Sequence, residues 1–309
     1  MHFESPDLSD IISPTVWPRR LNPHYEEVKT VSVAWIRSFG AFSPEPNRPT
    51  IPASDLMNTI FVFDEHSDVS SPDEVQAMAD AMMDALRNPH KPRPECERVG
   101  GEVTRQFWEL AVGKASAGAK KRFAVVQQAA DSNNRYIRTV DEYLEVRRET
   151  IGIEYSLALL EFDVDVSDEV HDHPVLKELS ILCCDMILLD NDIMSYNVEQ
   201  SRGDDEHNNI VTVVMHHYRT DIQGAMDWVQ QYYAAKLEAR FVHLYENELP
   251  TFGEPRVVRY VDGLANWVRG ANNQWNFESE RYFGKMGSQI FERRWVTLLP
   301  KEKRGGAWS

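Results

Sequence analysis

The chain of 309 residues is 42% hydrophobic and 10% aromatic, which describes a globular protein with a large core and excludes a disordered one. A net charge of −16 argues against nucleic acids and anionic lipid surfaces as partners, since both call for a basic footprint. Three cysteines are too few for a disulfide framework, and the first residues lack a signal-peptide pattern. No apolar run approaches the ~20 residues that span a bilayer. We therefore expect a cytoplasmic protein without membrane insertion.

The first half of the chain is predicted to be helical after a proline-rich start. Residues 1–24 contain four prolines and are predicted to be an extended N-terminal segment. Apolar residues recur at helical spacing over 26–39, and a serine cap precedes a short helix over 54–64. The sequence Ser-Pro-Asp-Glu opens the next helix with a capping box, and this helix is predicted over 72–88. A long helical stretch is then expected over 102–146, with a break near Gly113 or Gly118 as the alternative.

The second half continues the same pattern. Residues 147–152 interrupt the helical spacing, and the acidic run 163–172 is predicted to be a loop. Pro174 can begin a helix that ends near Gly203, and further helices are expected up to Tyr245 and over 257–283, before a C-terminal tail at 284–309. Strand signals are weak, because the β-favourable run 211–215 has no partner run. We therefore predict one all-α domain that spans residues 1–309.

The most informative stretch lies near the end of the helix that follows Pro174. Asn191, Ser195 and Glu199 are four residues apart, so a helix stacks them on one face. Their amide, hydroxyl and carboxylate oxygens are the hard ligands that Mg²⁺ prefers. A solvated polar face is the alternative, but the three preceding turns of this face are apolar, at Ile181, Cys184 and Leu188. The pattern indicates the wall of a cavity that ends in a polar mouth.

A second acidic motif follows the apolar face of the helix predicted at 54–64. Asp64 and Asp68 are one helical turn apart, and Asp64 continues the face that carries Phe61. Paired carboxylates at the end of an apolar face suit bridging Mg²⁺ ions that clamp a diphosphate. The alternative is an ordinary helix end whose acidic side chains are solvated.

Cationic groups that could bind such a diphosphate occur at two places. Arg147 and Arg148 lie at the predicted helix break, where guanidinium groups can bond phosphate oxygens in pairs. Arg281 stands beside the phenol of Tyr282, and Trp275 is placed to line an apolar pocket. Each feature taken alone also fits an exposed basic pair or simple core packing.

Together, in their order and spacing, these motifs resemble those of class I terpene synthases, and more narrowly those of microbial, especially fungal basidiomycete, sesquiterpene synthases. The resemblance covers most of the chain, from residue 17 to residue 283. It rests on the aspartate-rich motif at 64–68, the paired arginines within 147–152, the Asn/Ser/Glu motif at 191–199 and the Arg281-Tyr282 pair.

The resemblance implies an α-helical bundle or barrel around a deep apolar cavity, and a site for three Mg²⁺ ions. Asp64 would hold two of the ions, with Asp68 nearby and Glu65 in a supporting role. Asn191, Ser195 and Glu199 would hold the third.

The resemblance also assigns the groups that meet the diphosphate. Arg147 would be the diphosphate sensor, a choice over Arg148 made on its spacing to the helix break, and Arg281 and Tyr282 would bond the diphosphate when the site closes. The sequence departs from the family pattern at two positions, because Glu65 replaces an aspartate and Val198 stands where many relatives carry a lysine.

The implied reaction is the Mg²⁺-dependent ionisation of a prenyl diphosphate, farnesyl or alternatively geranyl diphosphate, to an allylic cation. The cation would become a sesquiterpene hydrocarbon or alcohol in a cavity lined by Phe61 and Trp275, with Phe39 as a further candidate. An acyclic alcohol synthase making linalool or nerolidol fits the same motifs. A chain-elongating prenyltransferase would need a second aspartate-rich motif, and a non-catalytic helical scaffold is the alternative of another class. Both a monomer and a homodimer are compatible with the resemblance.

Overall fold

The structure, a computed structural model, consists mainly of helices. Two three-residue strands and short π- and 3₁₀-helical turns complete the described elements. Among the described residues, none of the helices has both the length and the hydrophobicity of a transmembrane span. The structure describes residues 2–8, 16–18, 23–40, 55–67, 70–94, 96–112, 138–151, 153–158, 160, 167–203, 209–250, 255–270, 276–278 and 281–301.

The elements follow one another along the chain with short connections where both ends are described. In chain order they are β1 His2–Glu4, α1 Tyr25–Ser38, α2 Asp55–Ser67, α3 Pro72–Arg87, α4 Val99–Val112, α5 Val140–Thr150, α6 Ile153–Ala158, α7 Asp168–His171, α8 Pro174–Arg202, α9 Ile210–Tyr218, α10 Ile222–Tyr232, a π-helix Tyr233–Glu238, α11 Ala239–Asn247, α12 Arg256–Gly270, α13 Asn276–Glu278, a 3₁₀-helix Gly284–Met286, α14 Gly287–Arg293 and β2 Trp295–Thr297.

The chain divides into two compact units. The first comprises residues 1–19, 128–153 and 168–309, and the second comprises residues 20–127 and 154–167. The prediction of a single domain over 1–309 stays a prediction.

Helices α1 to α4 belong to the second unit and pack through their apolar faces. Ile36, Val62 and Val103, one from each of α1, α2 and α4, are fully buried against one another. The Ser71 amide donates to the Glu74 carboxylate at 2.9 Å, so the predicted capping box begins α3. Because three helices each contribute a side chain to one cluster, burial of their apolar faces holds this unit together.

Helix α8 is the longest element of the first unit and is buried along most of its length. Pro174 occupies its first turn, where a missing amide costs no hydrogen bond, and it ends at Gly203, whose φ of 80° favours glycine. Both ends lie where the sequence predicted them. One part of the predicted apolar stripe was wrong: Ile181 is 46% exposed, whereas Cys184 and Leu188 are buried.

The two strands were not predicted. β1 and β2 pair antiparallel, with Phe3 opposite Val296, and thereby join the two ends of the described chain. The β-favourable run 211–215 lies inside α9, as its position between helical patterns suggested.

The loop predicted over 163–172 was wrong for its second half, because α7 occupies part of it. Much of the predicted C-terminal tail is ordered structure, from the 3₁₀-helix through α14 to β2. The all-α prediction is confirmed in every longer element.

Candidate functional site

The three predicted oxygen ligands lie on α8 in the first unit. Ser195 is 7% exposed, and Asn191 and Glu199 are half-buried. Ser195 is a hydrogen-bond partner of the Glu199 carboxylate, and its hydroxyl also donates weakly to the backbone carbonyl of Asp192 at 3.4 Å. The hydroxyl and carboxylate therefore meet on one face of the helix, as their spacing predicted.

Arg147 lies against this face, and Arg148 does not. The Arg147 Nη2 atom donates to Asn191 Oδ1 at 3.3 Å and to Asp192 Oδ1 at 3.2 Å. The Arg148 guanidinium instead bonds both carboxylate oxygens of Asp185, nearly two turns earlier on α8, at 2.6 and 2.8 Å. The geometry favours Arg147 as the cation of the site.

Asp192 is a functional candidate that the sequence analysis missed. It is fully buried, and Arg147, the Tyr143 hydroxyl and the Ile210 amide all donate to its carboxylate. Tyr143 stands one turn before Arg147 on α5 and contacts the other oxygen of the same carboxylate. Asp192 thereby holds the arginine beside Asn191. Its position inside the motif at 191–199 was a signal that could have identified it.

Asn209 is a second missed residue. It is fully buried at the start of α9, where its Oδ1 caps the helix by accepting from the Val211 amide at 2.9 Å. Its Nδ2 atom donates to the Asp192 carbonyl at 2.7 Å and to Glu199 Oε2 at 3.0 Å. An asparagine directly before an apolar helical run is a cap signal, but it gives no indication of the contact with Glu199.

The Arg281-Tyr282 pair reaches the other side of Asn191. The Asn191 Nδ2 atom donates to the Tyr282 hydroxyl at 2.7 Å. The Arg281 guanidinium carbon lies 5.6 Å from the centroid of the Tyr282 ring, within the range of a cation–π contact. Asn191 therefore contacts both Arg147 and Tyr282, and the structure brings together Arg147, Tyr282 and the three predicted oxygen ligands on α8.

Burial and charge give these groups unusual proton affinities. Burial, followed by the nearby charge of Asp192, raises the pKa of Glu199 to about 7. Burial acts to lower the pKa of Arg147, but Asp192, Tyr143 and Glu199 together outweigh it and raise that pKa above its usual value. Arg147 therefore remains a cation, and Glu199 is a carboxyl whose ionisation a bound cation would favour.

The aspartate-rich motif belongs to the second unit. Asp64 lies on α2, as predicted, and Glu65 lies there too because the helix runs to Ser67, three residues beyond its predicted end. The side chains of both residues are outside the described structure. Asp68 lies outside the described residues, as does Trp275, and the side chain of Phe61 is likewise not described. The predicted metal-binding and cavity-lining roles of these residues stay predictions.

Phe39, the further cavity candidate, lies just after α1 and packs against Trp35. Their ring centroids are 5.4 Å apart in an edge-to-face arrangement, and both rings pack on the cluster of Ile36, Val62 and Val103. This contact favours a role for Phe39 in the core of the second unit.

The chain matches the family model described as terpene synthase family 2, C-terminal metal binding, over residues 55–239. A Δ6-protoilludene synthase from Armillaria ostoyae is 52% identical over 324 residues, which cover 95% of this chain and 94% of the relative. Sesquiterpene synthase 9 from Postia placenta is 43% identical, with 95% and 94% covered.

Solved structures with low sequence identity share the fold. A linalool/nerolidol synthase from Streptomyces clavuligerus superposes with a TM-score of 0.69 at 18% identity, over 84% of this chain and 97% of the other. These similarities confirm the resemblance drawn from the motifs and the predicted helical fold.

Proposed function

Because the chain belongs to the terpene synthase family, we propose that it ionises farnesyl diphosphate and converts the allylic cation to a cyclic sesquiterpene, releasing diphosphate. Membership of the family makes it an enzyme of the lyase class, so a non-catalytic scaffold is excluded. The product that its relatives favour is Δ6-protoilludene, since relatives from Armillaria, Stereum, Hypholoma and Postia carry that name.

The donor atoms of the site fit a magnesium ion. Asn191, Ser195 and Glu199 offer an amide, a hydroxyl and a carboxylate oxygen, and no sulfur or imidazole group, which suits Mg²⁺ better than zinc. Among the described residues there is no cluster of three or more histidine, cysteine, aspartate or glutamate side chains that could hold a metal ion, so the proposed set includes an amide and a hydroxyl oxygen. The proposal includes three Mg²⁺ ions, with Asp64, Glu65 and Asp68 as ligands of the others. Bound ions of this kind would neutralise the diphosphate as a leaving group.

The chain's own groups bind and orient the diphosphate. Arg147 is held at the Asn191 end of α8 by Asp192, so its guanidinium is placed before the substrate arrives. Arg281 and Tyr282 lie on the other side of Asn191 and would bond diphosphate oxygens there. The meeting of Arg147 and Tyr282 at Asn191 is the single observation that carries this part of the proposal.

The hydrocarbon chain would occupy an apolar cavity that excludes water, because an allylic cation does not survive in water. Phe61 and Trp275 are the proposed lining residues, and the faces of their rings would stabilise positive charge as it moves along the chain. This chain has Val198 at the third position after Ser195, where the family resemblance implies a lysine. Arg147 therefore supplies a larger share of the positive charge around the diphosphate.

Two alternatives differ in their products. Because the fold is shared with a linalool/nerolidol synthase, the fold alone does not distinguish a cyclase from an acyclic alcohol synthase. The names of the more similar relatives favour the cyclase. A chain-elongating prenyltransferase would have aspartates where α8 carries Asn191, Ser195 and Glu199.

The test is incubation of the protein with farnesyl or geranyl diphosphate, with Mg²⁺ or with a chelator, followed by gas chromatography and mass spectrometry of an organic extract. We expect a cyclic sesquiterpene from farnesyl diphosphate that disappears with the chelator. The Glu199→Gln variant removes one ligand charge at nearly constant volume and should lose most of the turnover. If neither substrate gives a volatile terpene, the proposed function is wrong, and nerolidol as main product would favour the acyclic alternative.

A further inference from the structure

The C-terminal segment, residues 276–278 and 281–301, is bonded to α8 at several points. Near its start, the Asn276 Nδ2 atom donates to the carboxylate of Asp190. Farther along, Asn191 donates to the Tyr282 hydroxyl at 2.7 Å. The segment therefore meets two consecutive residues of α8, and one of them is a proposed metal ligand.

The far end of the segment is bonded to the same helix. The Asn197 side chain accepts from the Leu299 amide at 2.9 Å and donates to the Thr297 carbonyl at 3.0 Å. Gln200 donates to the Leu299 carbonyl at 3.0 Å. Asn197 and Gln200 thus hold the strand β2 and the residues after it along α8.

The Asp190–Asn276 pair is buried and takes no part in the proposed reaction. Asp190 is fully buried and Asn276 is 2% exposed. Burying a carboxylate and an amide costs free energy unless they are hydrogen-bonded. The folded chain therefore favours the arrangement in which these two side chains remain bonded. Asp190 directly precedes Asn191 on α8 but leaves the helix in a different direction, since successive side chains differ by ~100°.

The segment is packed on itself around Phe277, the residue after Asn276. The Phe277 and Phe283 rings are stacked 5.6 Å apart, and the Phe291 ring meets Phe277 edge to face at 5.1 Å. α14 begins at Gly287, where any side chain would bring a Cβ atom within 1.8 Å of the Phe277 carbonyl oxygen. Because Phe283 follows Tyr282 directly, the stacking of Phe277 on Phe283 restricts where Tyr282 can lie.

We propose that Asp190 and Asn276 are positioning residues that fix the start of the C-terminal segment and thereby hold Arg281 and Tyr282 at the Asn191 end of the metal-binding face. This inference rests on the proposed function. Without the pair, Tyr282 and Arg281 would sample other positions, the diphosphate would be bound less completely, and water would reach the cation more often.

The experiment compares four variants with the wild-type protein. Asn276→Ala and Asp190→Ala remove one partner each, and Asp190→Asn keeps an acceptor oxygen for Asn276. Ser180→Ala is the matched control, because Ser180 lies on α8 but its hydroxyl meets Tyr260 of α12 at 3.1 Å. For each we would measure kcat and KM, the ratio of cyclic product to acyclic alcohol, and hydrogen–deuterium exchange of peptides from residues 276–301.

We expect the two alanine variants to lower kcat about tenfold to a hundredfold, to raise the share of acyclic alcohol, and to accelerate exchange in residues 281–301. Asp190→Asn should restore most of the product ratio and the protection, and Ser180→Ala should match the wild type in both.

If Asn276→Ala and Asp190→Ala lower the melting temperature but leave the product ratio and the exchange of 281–301 as in the wild type, the pair is merely structural and the proposal is wrong. Should an alanine variant fail to fold, Asn276→Ser, which retains a shorter hydrogen-bonding group, replaces it. A wild-type protein that forms no terpene would overturn the proposed function, whereas the exchange experiment would still decide whether the pair holds the segment.

Discussion

Two neighbouring regions of the contact between α5 and α8 use the same residue types in different ways. Arg147 and Arg148 are adjacent on α5, and their partners Asp192 and Asp185 are seven residues apart on α8. Arg148 bonds each oxygen of Asp185 once, at 2.6 and 2.8 Å. Arg147 directs two nitrogens to a single oxygen of Asp192, at 3.2 and 3.4 Å.

The difference separates a structural ion pair from one that can receive a ligand. A bidentate arginine–carboxylate pair gives both charged groups their hydrogen bonds and fixes the two helices relative to each other. At Asp192 the second oxygen is taken by Tyr143 and Ile210, so Arg147 is held by longer bonds and leans toward Asn191. In the proposed reaction, a diphosphate would therefore attract Arg147 without breaking a tight pair. Adjacent side chains of a helix point ~100° apart, which sends the two arginines to different aspartates.

The largest effect should come from Arg147→Lys. Lysine keeps the charge but loses the planar fork that bonds phosphate oxygens in pairs. We expect kcat/KM for farnesyl diphosphate to fall by about 10²–10³-fold, or about 3–4 kcal/mol of transition-state stabilisation. Initial rates with radiolabelled substrate measure this loss, and thermal melting followed by circular dichroism should show a much smaller change. Wild-type kcat/KM in this variant would remove Arg147 from the proposed site.

The second effect should come from Arg148→Ala, and it concerns stability. This change leaves the carboxylate of Asp185, which is 2% exposed, without its cation. We expect the free energy of unfolding to fall by about 3 kcal/mol, the low end of the range for breaking a buried pair, because the Arg148 side chain is itself about a third exposed. Urea titration measures the change, and turnover per folded molecule should remain close to that of the wild type.

The double variant Arg148→Met/Asp185→Leu is the control for this interpretation. Replacing both charges with apolar side chains removes the uncompensated carboxylate, so most of the lost stability should return. If turnover per folded molecule fell in Arg148→Ala as far as in Arg147→Lys, the distinction between the two regions would be lost.

The sequence was sufficient for features whose signals are local. The capping box at Ser71 and the limits of α8 follow from caps, Pro174 and Gly203, and the structure confirms them. The choice of Arg147 over Arg148 rested on spacing alone, and the contacts of the two side chains favour it. The family and the enzyme class followed from the order of the motifs and are confirmed by the relatives.

Features that depend on distant residues were not predictable. β1 and β2 have three residues each and pair across nearly the whole chain, so neither strand has a pattern long enough to detect. Asn209 carries a cap signal, but its bond to Glu199 depends on how α9 packs on α8. Asp192 looked like one more polar residue of the motif, and its burial follows from contacts made by Tyr143 and Arg147 of α5.

The smallest predicted effect is a pH dependence of metal affinity at the Arg147 region. Burial, and then the charge of Asp192, raises the pKa of Glu199 to about 7. A divalent cation binds the ionised carboxylate, whose fraction rises from about a tenth at pH 6 to about nine tenths at pH 8. The apparent affinity for Mg²⁺ should therefore increase about tenfold over this range. Initial rates at limiting Mg²⁺ and several pH values measure it.

In the metal-free protein, the same raised pKa makes a different quantity, the free energy of unfolding, change in the opposite direction with pH. Between the ordinary pKa of 4.5 and about 7, the folded state binds more protons at Glu199 than the unfolded state does, so the free energy of unfolding should fall as pH rises through this window. In Glu199→Gln the pH dependence of Mg²⁺ affinity should disappear, since glutamine does not titrate. The pH dependence of stability should become smaller but persist, because burial also raises the pKa of Asp190, to about 8. An Mg²⁺ affinity that stays constant from pH 6 to 8 in the wild type would show that Glu199 is already ionised beside Asp192, and that the charge of Arg147 outweighs the burial of this carboxyl.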